Sequence, residues 1–364
     1  MHRVVITGVG AVSAYGLGAR TLWRSVVSGR SAVDSLRSLA GYEMSPPPLG
    51  AEFQDFDFTT ALPGAEAYAH LTDRGTQFAL VAAQEAFDDA RLGSALGETI
   101  PNDRFGVYLG TTTAGILSAT DMAVSHLTRT PLPDFSLAHA FCPGAWPDLI
   151  AHRFSADGIM RSVSTSCYAG GESVGLGFRD VKEGRTTVAL AGGCDAPIAI
   201  TNYMSFQIIG ATSRWTGGED MVRPSHDGSR WADAIRQALA EASIAPDRID
   251  YVSCHGTGTR ENDRAEVRAI TDALGRTDVP IGSIKSMIGH AFGGASALEL
   301  VCLGMILVDK ILPPTINYSA PDPECDIDCV PNEARPVTRC DYALKTATGF
   351  GGSNMALVMA GWED

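Results

Sequence analysis

The 364-residue chain has no basic excess, no ordered cysteine spacing, no low-complexity segment and no intact nucleotide-binding loop. Each lack closes off a class of function. Lys and Arg total 28 against 42 Asp and Glu, a net charge of −14. A dedicated nucleic-acid binder carries the opposite balance, so nucleic acid is not an expected partner. The eight cysteines (142, 167, 194, 254, 302, 325, 329 and 340) share no repeated spacing. Cys325 and Cys329 lie closest, but no second pair completes a zinc site, so no metal is expected and most thiols read as reduced and buried. No apolar run reads as long enough to span a membrane. The opening "MHRVVITGVGAVSAYG" lacks the basic and apolar regions of a signal peptide and reads as a strand, so the expected location is cytoplasmic. "GVGAVS" at 8–13 has Ser13 where a dinucleotide loop has its third glycine, and no clear downstream acid supports it. "SHD" at 225–227 has triad letters, but consecutive residues cannot form a relay.

What is present is a large apolar fraction, 45%, arranged as alternating strands and helices. After the opening strand, residues 72–91 form an Ala-rich helix and "RFGVYLGTTT" a strand. "RSVSTSC", "GGESVGLGFRDVKEG" and "TTVALAGGCDAPI" read as strand, helix and buried strand. "DAIRQALAEASI" has apolar positions at helical spacing. "IDYVSCHGTGT" is a strand and turn, and "ENDRAEVRAITDALG" a helix with acids at its start. "IGSIKSMIGH" is a strand and turn, "GGASALELVCLGMILVDK" a buried helix, and "ALKTATGFGGSNMALVMA" a hairpin. The order implies an α/β protein with sheets and helices in layers. A polar, Gly/Pro-punctuated break at 216–230 divides it into 1–215 and 216–364.

The two halves share a frame: Cys167-x-x-Gly-Gly-x-Ser and His290-x-x-Gly-Gly-x-Ser. The match implies two related halves facing one pocket. A helix beginning just after Cys167 would aim free N–H groups and a positive dipole end at the sulfur, favouring the reactive thiolate. Ala169, Gly170 and Gly171 would leave room for substrate. A buried structural thiol is the plainer alternative and suits most of the other seven. His255 and His290 both read as strand-end residues followed by glycine or small residues. Lys285, if it faces inward, needs an acid, and Asp263, Glu266 and Glu299 are the candidates. Thr257 and Thr259 place hydroxyls beside His255, though such hydroxyls are often local caps. In "TGFGGSN" (348–354), the backbone around Phe350 and Gly351 turns tightly and could donate N–H groups to an oxyanion. Phe350 is either core or a gate.

Taken in order, "VSTSCYAGG", "HGTGTRENDRAE", "SIKSMIGHAFGGASALE", "LPPTINYSAPDPECDID" and "TGFGGSN" resemble the β-ketoacyl synthase family, most of all ketosynthases of bacterial type II polyketide systems. The resemblance covers nearly the whole chain. It implies a thiolase-like layered α-β-α-β-α fold built from two related halves. It also implies roles: Cys167 accepts an acyl chain from an acyl carrier protein, and His255 and His290 assist decarboxylation of a malonyl thioester. Lys285 orders the site with Asp263, Glu266 and Glu299. The N–H groups of Cys167 and Phe350 form an oxyanion hole, with Phe350 as gate, and Thr257, Thr259 and Gly351 bind substrate. No cofactor is implied beyond the carrier protein's phosphopantetheine, and the implied partners are that carrier protein and a homologous ketosynthase subunit. The sequence departs from the family after "IIGATSRW". Only 87 residues separate Cys167 from His255, and the strands that should open the second half are missing, which would leave a sheet edge to be covered. The shortening suits a rival role, that of the non-catalytic subunit that sets chain length. A thiolase-fold acyltransferase or hydrolase without decarboxylation, and a pure scaffold, are further alternatives.

Overall fold

A continuous apolar run makes a strand that is covered on both faces, and Phe105–Gly110 (β1) is such a strand, buried at all six residues. It is central to a three-stranded parallel sheet, paired to Met160–Val163 (β2) from Val107↔Met160 and to Val188–Gly193 (β3) from Phe105↔Val188. The computed structural model describes residues 2–131, 142–204 and 227–362. They fall into two compact units: 2–19, 34–131, 142–204 and 291–297 in the first, and 20–33, 227–290 and 298–362 in the second. Most of the 216–230 break therefore lies outside the described residues.

In the first unit, Arg74–Asp89 (α1) starts at Asp73, whose carboxylate caps the helix by accepting from Thr76 N at 3.0 Å. Its Leu80 packs with Phe105, Val107 and the Trp146, Ile150 and Phe154 side chains of Ala145–Phe154 (α2). Ala169–Lys182 (α3) buries mostly small residues: Ala169, Gly170 and Gly171 at its start, then Ser173, Gly175 and Gly177. Small residues let this helix lie directly on the sheet: a Cβ at Gly177 would sit 3.1 Å from that of Ala189.

Two expectations fail here for one reason. Residues 2–11 form no strand, and β3, read as buried, is half-buried along its length. β3 is an edge strand with no neighbour on its outer side among the described residues. The opening segment instead leans on α1, with Val9 N donating to Asp89 at 3.0 Å and Ala11 N to Glu85 at 2.9 Å. Residues 4–8 make no hydrogen bond among the described residues. The first regular elements are the two-residue pair Val12–Ser13 and Gly16–Leu17, followed by a helix at Ala19–Val27.

The second unit holds a mixed four-stranded sheet whose strands are Tyr251–Ser253 (β4), Ile281–Gly282 (β5), Tyr342–Gly349 (β6) and Ser353–Ala360 (β7). Their spatial order is β7-β6-β4-β5. β6 and β7 are the expected hairpin, in register from Tyr342↔Ala360 to Gly349↔Ser353. Its turn needs glycine, because Gly351 and Gly352 take φ of +91° and +77°. Ser229–Ala242 (α4) buries Trp231, Ala232, Ile235 and Leu239, at helical spacing along one face. Arg260–Leu274 (α5) carries Glu261 and Asp263 in its first turn, where the helix dipole favours negative charge.

Ala295–Asp309 (α6) corrects another expectation. With the preceding turn it gives an 18-residue helical stretch, Phe292–Asp309, of mean hydropathy 1.7, which by length and composition alone is enough to cross a membrane. More than half of it is buried in the protein. Leu300, Leu303 and Ile306 are core residues, and Glu299 is ion-paired in the interior.

Candidate active site

β2 ends at Val163, and the chain enters a single 3-10 turn, Ser166–Tyr168, before α3 begins at Ala169. Ser166 holds φ of +58°, a left-handed conformation that costs a non-glycine residue on the order of 1–3 kcal/mol. Thr112 Oγ1 steadies it by donating to the Ser166 carbonyl at 2.8 Å. Cys167 follows, buried, just ahead of a helix whose first N–H groups have no intrahelical acceptor.

The glycines beyond Cys167 do not hold space open for substrate, as the sequence suggested. A Cβ at Gly170 would lie 2.7 Å from the Gly293 carbonyl and 3.0 Å from Gly193 Cα. They allow the chain segments to touch. The repeated Gly-Gly frame is also not one turn built twice. Gly170 and Gly171 lie inside α3, whereas Gly293 and Gly294 lie in the 3-10 turn Phe292–Gly294 ahead of α6. The two copies are nonetheless neighbours in the first unit, where Gly171 N donates to Ser296 Oγ at 2.8 Å.

Sequence reasoning missed Asp195. Its buried carboxylate accepts from Thr111 Oγ1 at 2.7 Å, Thr113 N at 2.8 Å, Thr112 N at 2.9 Å and Gly293 N at 2.7 Å. It ties the loop after β1, which carries Thr112, to the turn at 292–294. Burial pushes its carboxyl up, while these hydrogen bonds oppose the rise. The available signal was an acid following the small-residue end of one strand and three threonines following another.

In the second unit, His255 follows β4 and Cys254. His290 is not at a strand end, because β5 stops at Gly282. Lys285–Ile288 forms one helical turn, Lys285 N donates to Ser283 Oγ at 3.3 Å, and Gly289 at φ +69° leads into His290. The two imidazoles meet edge to face, centroids 5.4 Å apart at 83°. Of the three candidate acids, Lys285 takes Glu299 as its ion-pair partner, and its Nζ also donates to the His255 carbonyl at 2.6 Å. Glu266 instead accepts from His255 N at 2.7 Å, Gly256 N at 2.9 Å and Thr346 Oγ1 at 2.6 Å. Asp263 accepts from Asn262 Nδ2 at 3.1 Å.

Two residues the sequence reading passed over join this cluster. Lys345, on β6, pairs with Glu299 at 2.7 Å, and the Trp231 indole meets His255 edge-on at 6.4 Å. Thr257, half-buried, and Thr259, exposed, bond each other at 2.9 Å, and Thr259 is the N-cap residue of α5. Phe350 is exposed at the hairpin turn, so it is not a core residue.

Burial, reinforced by Lys285 and Lys345, pushes both imidazoles down, His290 to about 3 and His255 well below the ordinary 6.5. Both rings are neutral at pH 7. A neutral ring can donate one N–H to a developing oxyanion without itself titrating.

The depressed values fix a sign. The unfolded chain takes up protons on these histidines below pH 6.5 and the folded chain does not, so their contribution to stability is complete above 6.5 and falls as the pH drops. Each ring adds a slope of about 1.4 kcal/mol per pH unit inside that window. Denaturant unfolding from about pH 7 to about pH 5 is expected to show this loss, and H255Q/H290Q a shallower one. At the glycine contact, Gly170→Ala forces a methyl onto the Gly293 carbonyl, and an equilibrium melt is expected to show a loss of about 1–3 kcal/mol or more.

Comparison with known proteins places these features. The β-ketoacyl synthase N-terminal domain matches residues 1–239 and the C-terminal domain residues 206–319. The tetracenomycin polyketide synthase ketoacyl synthase alpha subunit of Streptomyces glaucescens is 33% identical, over 98% of this chain and 97% of its own length. That alignment runs to 423 positions against 364 residues here, so part of the relative's sequence has no counterpart in this chain. Two solved structures superimpose with TM-scores of 0.85 at 26% identity, each covering 99% of both chains: the ishigamide ketosynthase/chain length factor, and a type II polyketide synthase acyl carrier protein in complex with its hexaketide-bound ketosynthase. The fold is the thiolase fold that the sequence implied.

Proposed function

The chain belongs to the β-ketoacyl synthase family, of the polyketide and fatty-acid type, and we propose that it is a catalytic condensing acyltransferase within it. The Cys167 thiolate attacks the thioester of an acyl carrier protein, the phosphopantetheine thiol leaves, and the acyl group stays on sulfur. The malonyl C–C bond then breaks, carbon dioxide departs, and the electron pair moves to the thioester oxygen as an enolate. His255 and His290 donate to that oxygen. The enolate carbon attacks the acyl carbonyl and the Cys167 thiolate leaves. The N–H groups of Cys167 and Phe350 serve the tetrahedral oxyanion, with Phe350 as gate and the Gly351 turn beside it. Thr257 and Thr259 hold the phosphopantetheine arm. The proposed partners are an acyl carrier protein and a homologous ketosynthase subunit, in a homo- or heterodimer. The substrate's own phosphopantetheine is the only prosthetic group the scheme requires.

One observation carries this reading: the buried imidazole of His255 and the half-buried one of His290 meet edge to face, both held neutral, beside Lys285 and its ion-pair partner Glu299. Burying two histidines next to cations opposes their protonation and lowers stability in acid, a cost that a subunit kept for its surface has no reason to retain. The shortened chain favours the other reading, a non-catalytic chain-length-factor subunit. The two diverge at sulfur. Incubating the full chain with acyl-loaded carrier protein, alone and with a co-encoded ketosynthase, is expected to give an acyl mass increment that C167A abolishes. If neither mixture gives an adduct and the C167A complex keeps its product profile, the non-catalytic reading holds.

A further inference from the structure

Lys345 is fully buried in the interior of β6, a position where an apolar or small residue is the simpler choice. An unpaired ammonium there would cost several kcal/mol. Its Nζ is met by the carbonyls of Thr346 at 2.7 Å, Cys254 at 3.0 Å and Ser253 at 3.2 Å, and by Glu299 Oε2 at 2.7 Å. Lys285 takes the other oxygen of the same carboxylate and the next carbonyl along, that of His255. Two ammonium groups therefore grip three consecutive carbonyls, 253 to 255, where β4 ends and His255 begins, and Glu299 locks the two together.

We propose that Lys345 is a positioning residue for the imidazole pair: with Glu299 and Lys285 it clamps the strand end that carries His255. As a second cation near the rings it also opposes their protonation. The catalytic part of this inference rests on the reading of His255 and His290 given above, whereas the clamp itself does not. The charged groups around His255 are Lys285 on its helical turn, Lys345 on β6, Glu299 on α6, and Glu266 and Asp263 on α5. Glu266 is engaged by His255 N, Gly256 N and the Thr346 hydroxyl. Among the described residues, Glu299 is left as the carboxylate that both lysines share.

Lys345→Met leaves Lys285 and Glu299 as a one-to-one pair, so it removes a buried charge without orphaning another. Lys345→Gln keeps hydrogen-bond donors but drops the charge. Both variants of the full chain, checked for folding by circular dichroism, are to be compared with the unaltered chain in two ways. Carbon-13 spectra of labelled histidines, assigned with H255Q and H290Q, follow ring protonation against pH. Release of carbon dioxide from malonyl-loaded carrier protein gives kcat and KM. The rings are expected to titrate at higher pH in both variants than in the unaltered chain. In Lys345→Met, kcat is expected to fall by up to about a hundred-fold with KM little changed, and Lys345→Gln is expected to recover part of it. Ring titrations identical to those of the unaltered chain overturn the positioning role, as does a loss carried by KM alone. If the unaltered chain releases no carbon dioxide while the ring titrations shift as expected, the clamp stands and the catalytic reading falls.

Discussion

The polar interior of the second unit depends on one carboxylate, Glu299, which is 1% exposed and pairs with ammonium groups arriving from two different elements. Without it Lys285 and Lys345 would repel each other inside a low-dielectric core. With it, a helical turn, a strand and the buried helix α6 share a fixed point, and His255 hangs from that point by its own backbone. Glu266 does related work one step away by accepting the next N–H groups, those of His255 and Gly256. The first unit uses the same device in Asp195, which gathers threonine hydroxyls and backbone amides into one buried carboxylate and so fixes the loop that supports Ser166. Both units therefore hold their loops with acids that accept from N–H groups, a stronger interaction than a neutral acceptor provides.

Close backbone approach is the second constraint. Gly170, Gly193 and Gly293 bring a helix, a strand end and a turn within distances that forbid a Cβ. The first glycine of each pair stands at this meeting: a Cβ at Gly170 would meet the Gly293 carbonyl, and one at Gly293 would meet the Asp195 carboxylate and Thr112 N.

Much of the candidate site was legible because its residues stand in unusual company. Cys167, His255, Lys285 and His290 each follow an apolar stretch that reads as a strand, glycine or small residues come close behind Cys167, His255 and His290, and the three acids lie at helical positions a lysine could reach. Lys345 was not legible. In "ALKTATG" it reads as one polar member of an alternating hairpin strand, and only the packing shows that its side faces the interior. Asp195 was hidden for a similar reason, since its donors lie some eighty positions earlier or a hundred later in the chain. The elements were read well wherever periodicity ran long, as in α1, α3, α5 and the β6–β7 hairpin. They were misread where a neighbour decides the outcome. Residues 2–11 have strand composition without a strand to join, and β3 is half-buried at a sheet edge where no strand among the described residues pairs with its outer side.

The edge-on contact between Trp231 and His255 gives the molecule a built-in optical gauge. A protonated imidazole withdraws excitation from an adjacent indole, whereas a neutral one scarcely does. Trp231 is one of only five tryptophans and is fully enclosed. The brightness of its emission therefore reports the charge of the ring beside it, with no label attached and no substrate present.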